Sequence, residues 1–307
     1  MKIGNIDISS QFVLAPMAAV NCTAFRMLCK ENKAGLVYTQ MFDAALVKNK
    51  SRREVKDLLN ITEHERPVSV QLIGDNEESI LKSIKLVEEF ADLIDFNVGC
   101  SEKEILAQGY GAFLLSNPSL LEKIVRKMVQ ATSKPVTVKM RIGIDAQKII
   151  AVNVAKSLEN AGAAAICIHG RTAQQKLAKK VNWTIMKQVK EKLTIPIMAN
   201  GDVTNYLQGF DLLSRTGCDF VMIGRGAMHC PWIFDPEKAQ IVNAEIKKQI
   251  LRFIELYRTY ENRGSSQEVR EHVFWMLKNY VTKQNTRAVL NLRYIEDIED
   301  FVIKLDS

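Results

Sequence analysis

Along the first 235 residues, two patterns of apolar and polar positions alternate. Short runs rich in β-branched and other apolar residues predict eight strands, at Phe12 to Ala15, Leu36 to Thr39, Val68 to Leu72, Leu93 to Asn97, Val136 to Met140, Ala164 to His169, Ile195 to Ala199 and Phe220 to Ile223. Between them, stretches with a helical apolar period predict helices at Glu77 to Ala91, Ser119 to Thr132, Ala146 to Ala161, Trp183 to Lys192 and Asn205 to Thr216. Gly162 and Gly217 stand just past two of these, where a helix end favours a residue that tolerates positive φ. Such alternation is the signature of βα units on a parallel sheet. Eight units in roughly 225 residues match a closed α/β barrel of the (β/α)8 (TIM) type, typically about 250 residues long. An open doubly wound sheet is disfavoured, because no GxGxxG follows the first strand.

After Pro231-Trp232-Ile233-Phe234-Asp235-Pro236 the strand signal stops. Helical periodicity over about Glu237 to Asn262, Gln267 to Lys283 and Thr286 to Ile303 predicts a small all-α domain. The expected division is thus a catalytic barrel over residues 1–235 and a helical domain over 236–307. In the segment 263–294, Arg263, Arg270, Lys278, Lys283, Arg287 and Arg293 outnumber Glu268 and Glu271, and the sign reverses at Glu296, Asp297, Glu299 and Asp300.

Composition excludes more than it identifies. With 47% apolar and 25% charged residues, disordered and fibrous classes drop out. The opening MKIGNIDISSQ has no apolar core of a signal peptide, and no apolar run reaches membrane-spanning length, so a soluble cytoplasmic protein is expected. Six cysteines without a CxxC pair predict neither a zinc site nor a disulfide framework, and no metal is expected. A net charge of +7 permits a polyanionic partner. Part of it is clustered, at Lys48, Lys50, Arg52, Arg53 and Lys56 and again at Lys176, Lys179 and Lys180.

In a (β/α)8 barrel, chemistry collects where strands end and βα loops begin. Polar groups do gather there, in Pro16-Met17, Gln71, Asn97 to Cys100, Lys139 to Arg141, His169 to Arg171, Asn200 to Asp202 and Gly224 to Gly226. The glycine turns after strands seven and eight leave backbone N–H groups unobstructed, the usual phosphate site of this architecture, and Arg225 adds charge. Lys139 interrupts an apolar strand, so it either serves an anionic group or snorkels from the rim. Cys100 follows Gly99 at a strand end. A thiol of ordinary pKa, about 8.5, is mostly protonated near neutrality and can act as an acid, although a lone cysteine is more often a packing residue. His169 has no second ligand at its strand end and reads as a neutral hydrogen-bonding group. His64, His229 and His272 read as surface or packing residues.

Seven segments together resemble the tRNA-dihydrouridine synthase family, in the family's order. They are APMAAVNCTAFRMLC from Ala15, QLIGDN from Gln71, DFNVGCSEKEILAQGYGAFLL from Asp95, PVTVKMRIG from Pro135, IHGRTAQQ from Ile168, IPIMANGDV from Ile195 and VMIGRGAMHCPWIF from Val221. The resemblance implies FMN in the barrel mouth, NADPH as reductant and tRNA as partner, gripped by the mouth loops and the C-terminal helices. Carried over position by position, Pro16, Met17, Gln71, Lys139, His169, Asn200, Gly201, Asp202, Gly224 and Arg225 are expected to hold FMN. Cys100 is expected to be the acid, with Asn97 and Arg171 facing the uracil. The implied chemistry is hydride transfer to uracil C6 and protonation of C5 by Cys100, on a base swung out of its stack.

This chain also departs from the family pattern. It has Gly99-Cys100-Ser101 where GCP is usual, Asn21-Cys22 for Thr-Asp, Gln40 for an acidic residue, and Gln175 to Lys180 where the loop usually carries tyrosine and glycine. The substitutions bear on RNA fit and rate more than on fold, and they leave an unusual target nucleotide, even in ribosomal RNA, open. Two other readings stay open: a flavin barrel acting on a free small molecule such as dihydroorotate or an enoate, and a non-catalytic RNA-binding protein.

Overall fold

The computed structural model describes residues 1–238, 243–261 and 264–305. Eight strands build one parallel sheet: β1 (Phe12–Leu14), β2 (Val37–Asp43), β3 (Val68–Ile73), β4 (Leu93–Val98), β5 (Val136–Arg141), β6 (Ala165–His169), β7 (Ile197–Asn200) and β8 (Phe220–Ile223). Neighbours in sequence pair in parallel from β2 to β8, and β8 pairs with β1. The ring closes between β1 and β2, where Leu14 N–H donates to Leu36 O at 2.9 Å and Gly35 N–H to Phe12 O at 2.8 Å. The fold is the expected TIM barrel. β2 runs on past Thr39 to Asp43, with a register shift between Tyr38 and Met41.

Both faces of these strands are buried, which is why they read as near-continuous apolar runs. Inward side chains, among them Val13, Tyr38, Leu93, Cys167, Met198, Phe220 and Met222, form one cluster inside the barrel. Ile3 and Ile8 join it, carried by a hairpin that pairs Lys2–Ile3 with Ile6–Asp7. That hairpin, absent from the sequence expectation, closes the end of the barrel where the strands begin.

Outside the strands lie α1 (Thr23–Glu31), α2 (Arg52–Leu59), α3 (Glu77–Val87), α4 (Pro118–Ala131), α5 (Ala151–Asn160), α6 (Trp183–Lys192) and α7 (Tyr206–Thr216). Side-chain caps fix several starts: Ser51 and Glu54 form a capping box, and Asn76, Asn117, Asn182 and Asn205 each accept a first-turn N–H. Helix α5 begins at Ala151, not Ala146. Asp145 Oδ1 takes the N–H groups of Gln147 and Lys148, both at 2.9 Å, and this local turn outcompetes the helix.

The C-terminal region is helical, as expected, but in four described pieces: α8 (Asn243–Tyr260), α9 (Ser266–Leu277), α10 (Lys283–Val289) and α11 (Ile295–Lys304). The last predicted helix divides because the chain turns after α10 before α11 begins. Asn262 and Arg263, within the expected helix and basic segment, lie outside the described residues. These helices share one core with the outer face of the barrel, in which Phe25 and Leu28 of α1 meet Phe253, Tyr257 and Val273. His272 stacks on Phe253 with centroids 4.8 Å apart and lies 2.9 Å by Nε2 from Val20 O of the loop after β1. No described helix is long and apolar enough to cross a membrane.

Candidate active site

The residues at the C-terminal ends of β3 to β8 face one mouth because strand periodicity sends every second side chain inward. Gln71 on β3, Asp95 and Asn97 on β4, Thr137, Lys139 and Arg141 on β5, His169 on β6 and Asn200 on β7 occupy neighbouring registers. Lys139 Nζ donates to Asn200 Oδ1 at 3.2 Å, and Asn200 Nδ2 donates to Met222 O at 2.7 Å. Among the described residues His169 has no side-chain hydrogen bond, and its pKa is pushed down to about 2. Burial is the main cause, followed by the positive charges of Lys139, Arg141, Arg171 and Arg225. The ring is therefore neutral, with polar atoms left over for a ligand.

Beyond Asn200 the backbone turns sharply through Gly201 (φ 138°) and Asp202 (φ 55°). A Cβ at Gly201 would lie 2.6 Å from Val181 Cγ2, so only glycine fits there. Gly224 lies beside Met17, whose Sδ a Cβ would approach to 3.4 Å, so the half-buried Pro16-Met17 loop and the end of β8 form one wall. Arg225 is exposed and donates to Asp202 Oδ1 at 2.8 Å. Lys139, His169, Asn200, Gly201, Gly224, Arg225 and the Pro16-Met17 loop thus form a continuous arc from β5 round to β1. A cationic side chain, a neutral ring donor or acceptor, an amide and a charged phosphate partner make this donor set fit an anionic, planar, phosphorylated ligand.

Cys100 stands beside the start of this arc, on the loop after β4, the strand that pairs with β5. Its N–H donates to Asn97 Oδ1 at 2.9 Å, that of Gly99 to the same oxygen at 3.0 Å, and its carbonyl accepts from Ala112 N–H at 2.8 Å. Gly111 permits that last contact: its φ is +59°, and a Cβ there would sit 2.7 Å from Cys100 O. The Cys100 thiol is half-buried and has no hydrogen bond among the described residues. The other thiols are elsewhere or inert. Burial pushes Cys167 and Cys230 up to about 12 and Cys218 up to about 11. Cys22 is also raised by burial, and by Glu261 and Glu268.

Several expected ligand-facing groups have their polar atoms engaged by the protein, Gln71 among them: it is 1% exposed, its Nε2 donates to Asp95 Oδ2 at 2.6 Å and its Oε1 accepts from Asn97 Nδ2 at 2.8 Å. Asn97 gives Nδ2 to Gln71 Oε1 at 2.8 Å and its oxygen to the Cys100 loop. Arg171 is 3% exposed, its Nε donates to Lys179 O, and both Nη groups grip the Asp202 carboxylate. Asp202 therefore joins Arg171 and Arg225.

Sequence reasoning assigned no role to Arg141. Its Nε donates to Gly99 O at 2.7 Å, and its Nη1 to Thr172 O and Lys176 O, both at 2.9 Å. One guanidinium thus ties the Cys100 loop to the altered loop after β6. Strand period was the available signal, because Thr137, Lys139 and Arg141 alternate to the same side of β5.

The departures have visible consequences. Asn21 Nδ2 holds Ala15 O at 2.8 Å and Tyr38 O at 2.7 Å, pinning the Pro16-Met17 loop to β2, while its Oδ1 is buried without a partner among the described residues. Gln40 Oε1 accepts from Ala19 N–H at 3.2 Å, and Ser101 is buried.

A (β/α)8 barrel whose inward polar groups converge on the C-terminal mouth is the class these features define. Its fold is that of an old yellow enzyme homologue from Zymomonas mobilis, with a TM-score of 0.56 over 75% of this chain and 89% of that one, at 10% identity. Within that class, the chain belongs to the dihydrouridine synthase family, whose model matches residues 13–304. It is 33% identical to a probable tRNA-dihydrouridine synthase of Rickettsia prowazekii, over 95% of this chain and 93% of that protein. It is 31% identical to tRNA-dihydrouridine synthase B of Pasteurella multocida, covering 100% and 95% of the two chains.

Proposed function

We propose that this protein reduces uridine in tRNA to 5,6-dihydrouridine, with Cys100 as the acid. The observation that carries the reading is the half-buried thiol of Cys100, held at the mouth next to the arc of Lys139, His169 and Asn200, in a chain that matches the family nearly end to end. Pro16, Met17, Lys139, His169, Asn200, Gly201, Asp202, Gly224 and Arg225 would hold FMN, whereas both amide atoms of Gln71, also expected there, are taken by Asp95 and Asn97. When bound, the flavin supplies hydride to uracil C6, and NADPH restores it.

The chain's own residues do the rest. Lys139 offers a positive charge beside the ring, and neutral His169 offers a hydrogen bond without adding charge. Cys100 Sγ gives its proton to C5, and solvent returns one to the thiolate. Asn97 and Arg171 serve as wall rather than as direct readers of the base: Asn97 holds the Cys100 loop, and Arg171 holds Asp202 and the loop through Lys179. Exposed lysines and arginines around the mouth and on the C-terminal helices grip phosphates.

The test is mass-spectrometric mapping of dihydrouridine in tRNA and rRNA from cells with and without the protein, and after incubation of unmodified RNA with protein, FMN and NADPH. A missing dihydrouridine that the purified protein restores supports the reading. Unchanged dihydrouridine in both RNAs, from a protein that binds flavin, would transfer the site to a small-molecule substrate.

A further inference from the structure

The thiol loop is held from inside the barrel by a chain of side chains whose hydrogen bonds have one direction. Asp95, fully buried on β4, accepts from Thr137 Oγ1 at 2.5 Å through Oδ1 and from Gln71 Nε2 at 2.6 Å through Oδ2. Gln71 Oε1 accepts from Asn97 Nδ2 at 2.8 Å, and Asn97 Oδ1 accepts the N–H groups of Gly99 and Cys100 at 3.0 and 2.9 Å. The strands impose these neighbours: Asp95 stands opposite Gln71 on β3 and opposite Thr137 on β5.

A carboxamide can turn by 180° at little steric cost, exchanging donor for acceptor, so neither Gln71 nor Asn97 has an orientation of its own. Two groups of fixed polarity decide it. The backbone N–H groups at one end can only donate, and an ionised carboxylate at the other can only accept. With Asp95 in place, Gln71 must turn its NH2 inward and its oxygen toward Asn97, which then must offer its oxygen to Cys100.

We infer that Asp95 is a positioning residue for Cys100, acting through Gln71 and Asn97 to fix the loop that carries the thiol. The inference extends the proposed reaction but rests on geometry that stands without it. Burial, opposed by the bonds from Gln71 and Thr137 and by the Lys139 charge, pushes Asp95 up to about 6. A proton on Oδ1, toward Thr137, leaves Oδ2 free to accept from Gln71, so the direction of the chain survives protonation. By the same logic Asp95→Asn preserves it, with the amide oxygen toward Gln71 and the NH2 toward the threonine oxygen. Asp95→Leu removes the fixed acceptor while keeping the shape.

The test is amide hydrogen exchange resolved by peptide, on the full-length protein. In Asp95→Leu, exchange over residues 97–103 should rise roughly tenfold, as expected for one lost hydrogen bond. Asp95→Asn should stay within about twofold of the parent on the same basis, and the strand amides of β8 should keep their protection in both. If Asp95→Leu does not fold, Gln71→Met cuts the chain one link nearer Cys100 and should give the same local gain. Unchanged exchange over 97–103, an Asn variant as loose as the Leu variant, or loss of protection in β8 in step with 97–103 would each overturn the inference.

A second measurement separates it from the proposed reaction. In Asp95→Leu, RNA affinity and flavin reduction by NADPH should hold while RNA-dependent flavin reoxidation slows, and Asp95→Asn should restore it. Should the parent form no dihydrouridine, the functional reading fails while the exchange result still decides the positioning role.

Discussion

At the scale of single residues, Cys100 and His169 carry the testable chemistry. Cys100→Ala should retain flavin colour and RNA binding while product formation falls about 10²- to 10⁴-fold, the usual worth of a positioned acid, as read by single-turnover mass spectrometry of RNA. His169 gives a pH prediction. Its folded pKa of about 2 lies below the ordinary 6.5, so the stability it lends is complete above 6.5 and is lost as pH falls toward 2. Asp95 has the opposite sign: raised from 3.8 to about 6, its contribution is full below 3.8 and lost as pH rises through 6. Between pH 6.5 and 4, a His169→Gln variant should therefore show a shallower fall in melting temperature than the parent. Equal slopes would mean that the ring protonates freely in the fold. The candidacy of Cys100 and His169 was legible in the sequence, because a strand end in βα alternation places a residue at the mouth. The engagement of Arg171 by Asp202 was not, because it depends on the loops after β6 and β7 lying side by side.

At the scale of elements, the barrel mouth depends on loops held by a few obligatory contacts. Gly111 brings its turn against the Cys100 carbonyl at positive φ, and Gly111→Ala adds both backbone strain and a 2.7 Å collision. It should cost about 1–3 kcal/mol in urea unfolding and displace the thiol loop, lowering turnover more than RNA affinity. Helix α1 depends on Arg26, whose Nε lies 2.5 Å from Glu65 Oε2 while its Nη groups bond the carbonyls of Asn21, Leu59 and Asn60. Removing one partner of so buried a pair strands a charge, and Arg26→Leu should cost about 3–5 kcal/mol. Strand positions were well foreseen, whereas the shortened α5 and the divided last helix were not. A side chain such as Asp145 that bonds its own backbone gives the chain an alternative that apolar periodicity does not register.

At the scale of the whole molecule, the helical region is part of the barrel's outer core. Ending the chain after Phe234 would expose the apolar face of α1 now covered by Phe253 and Tyr257. The truncated protein should bind an apolar dye and melt about 10 °C or more below the full chain, and an unchanged melting curve would show the barrel to be independent. Charge, too, is partly committed to architecture: Arg252 pairs with Glu31, Arg258 with Glu296 and Glu299, and Arg52 with Glu89. Lys179, Lys180, Arg287 and Arg293 remain exposed and without ion-pair partners among the described residues. The sequence by itself determined the eight strands, the parallel order and the residues at the strand ends, because period and turn chemistry are local properties of the chain. Only the tertiary structure decided which of those residues meet. Closing the sheet sets strands about 4.8 Å apart in fixed register, so Asp95 finds Gln71 and Thr137, and Arg141 finds the loops on either side. The Cys100 that the sequence offered at a strand end is bonded by its near neighbours Asn97 and Ala112, and Asn97 and Gly99 are held in turn by Gln71 and Arg141, which only the pairing of β4 with β3 and β5 brings there.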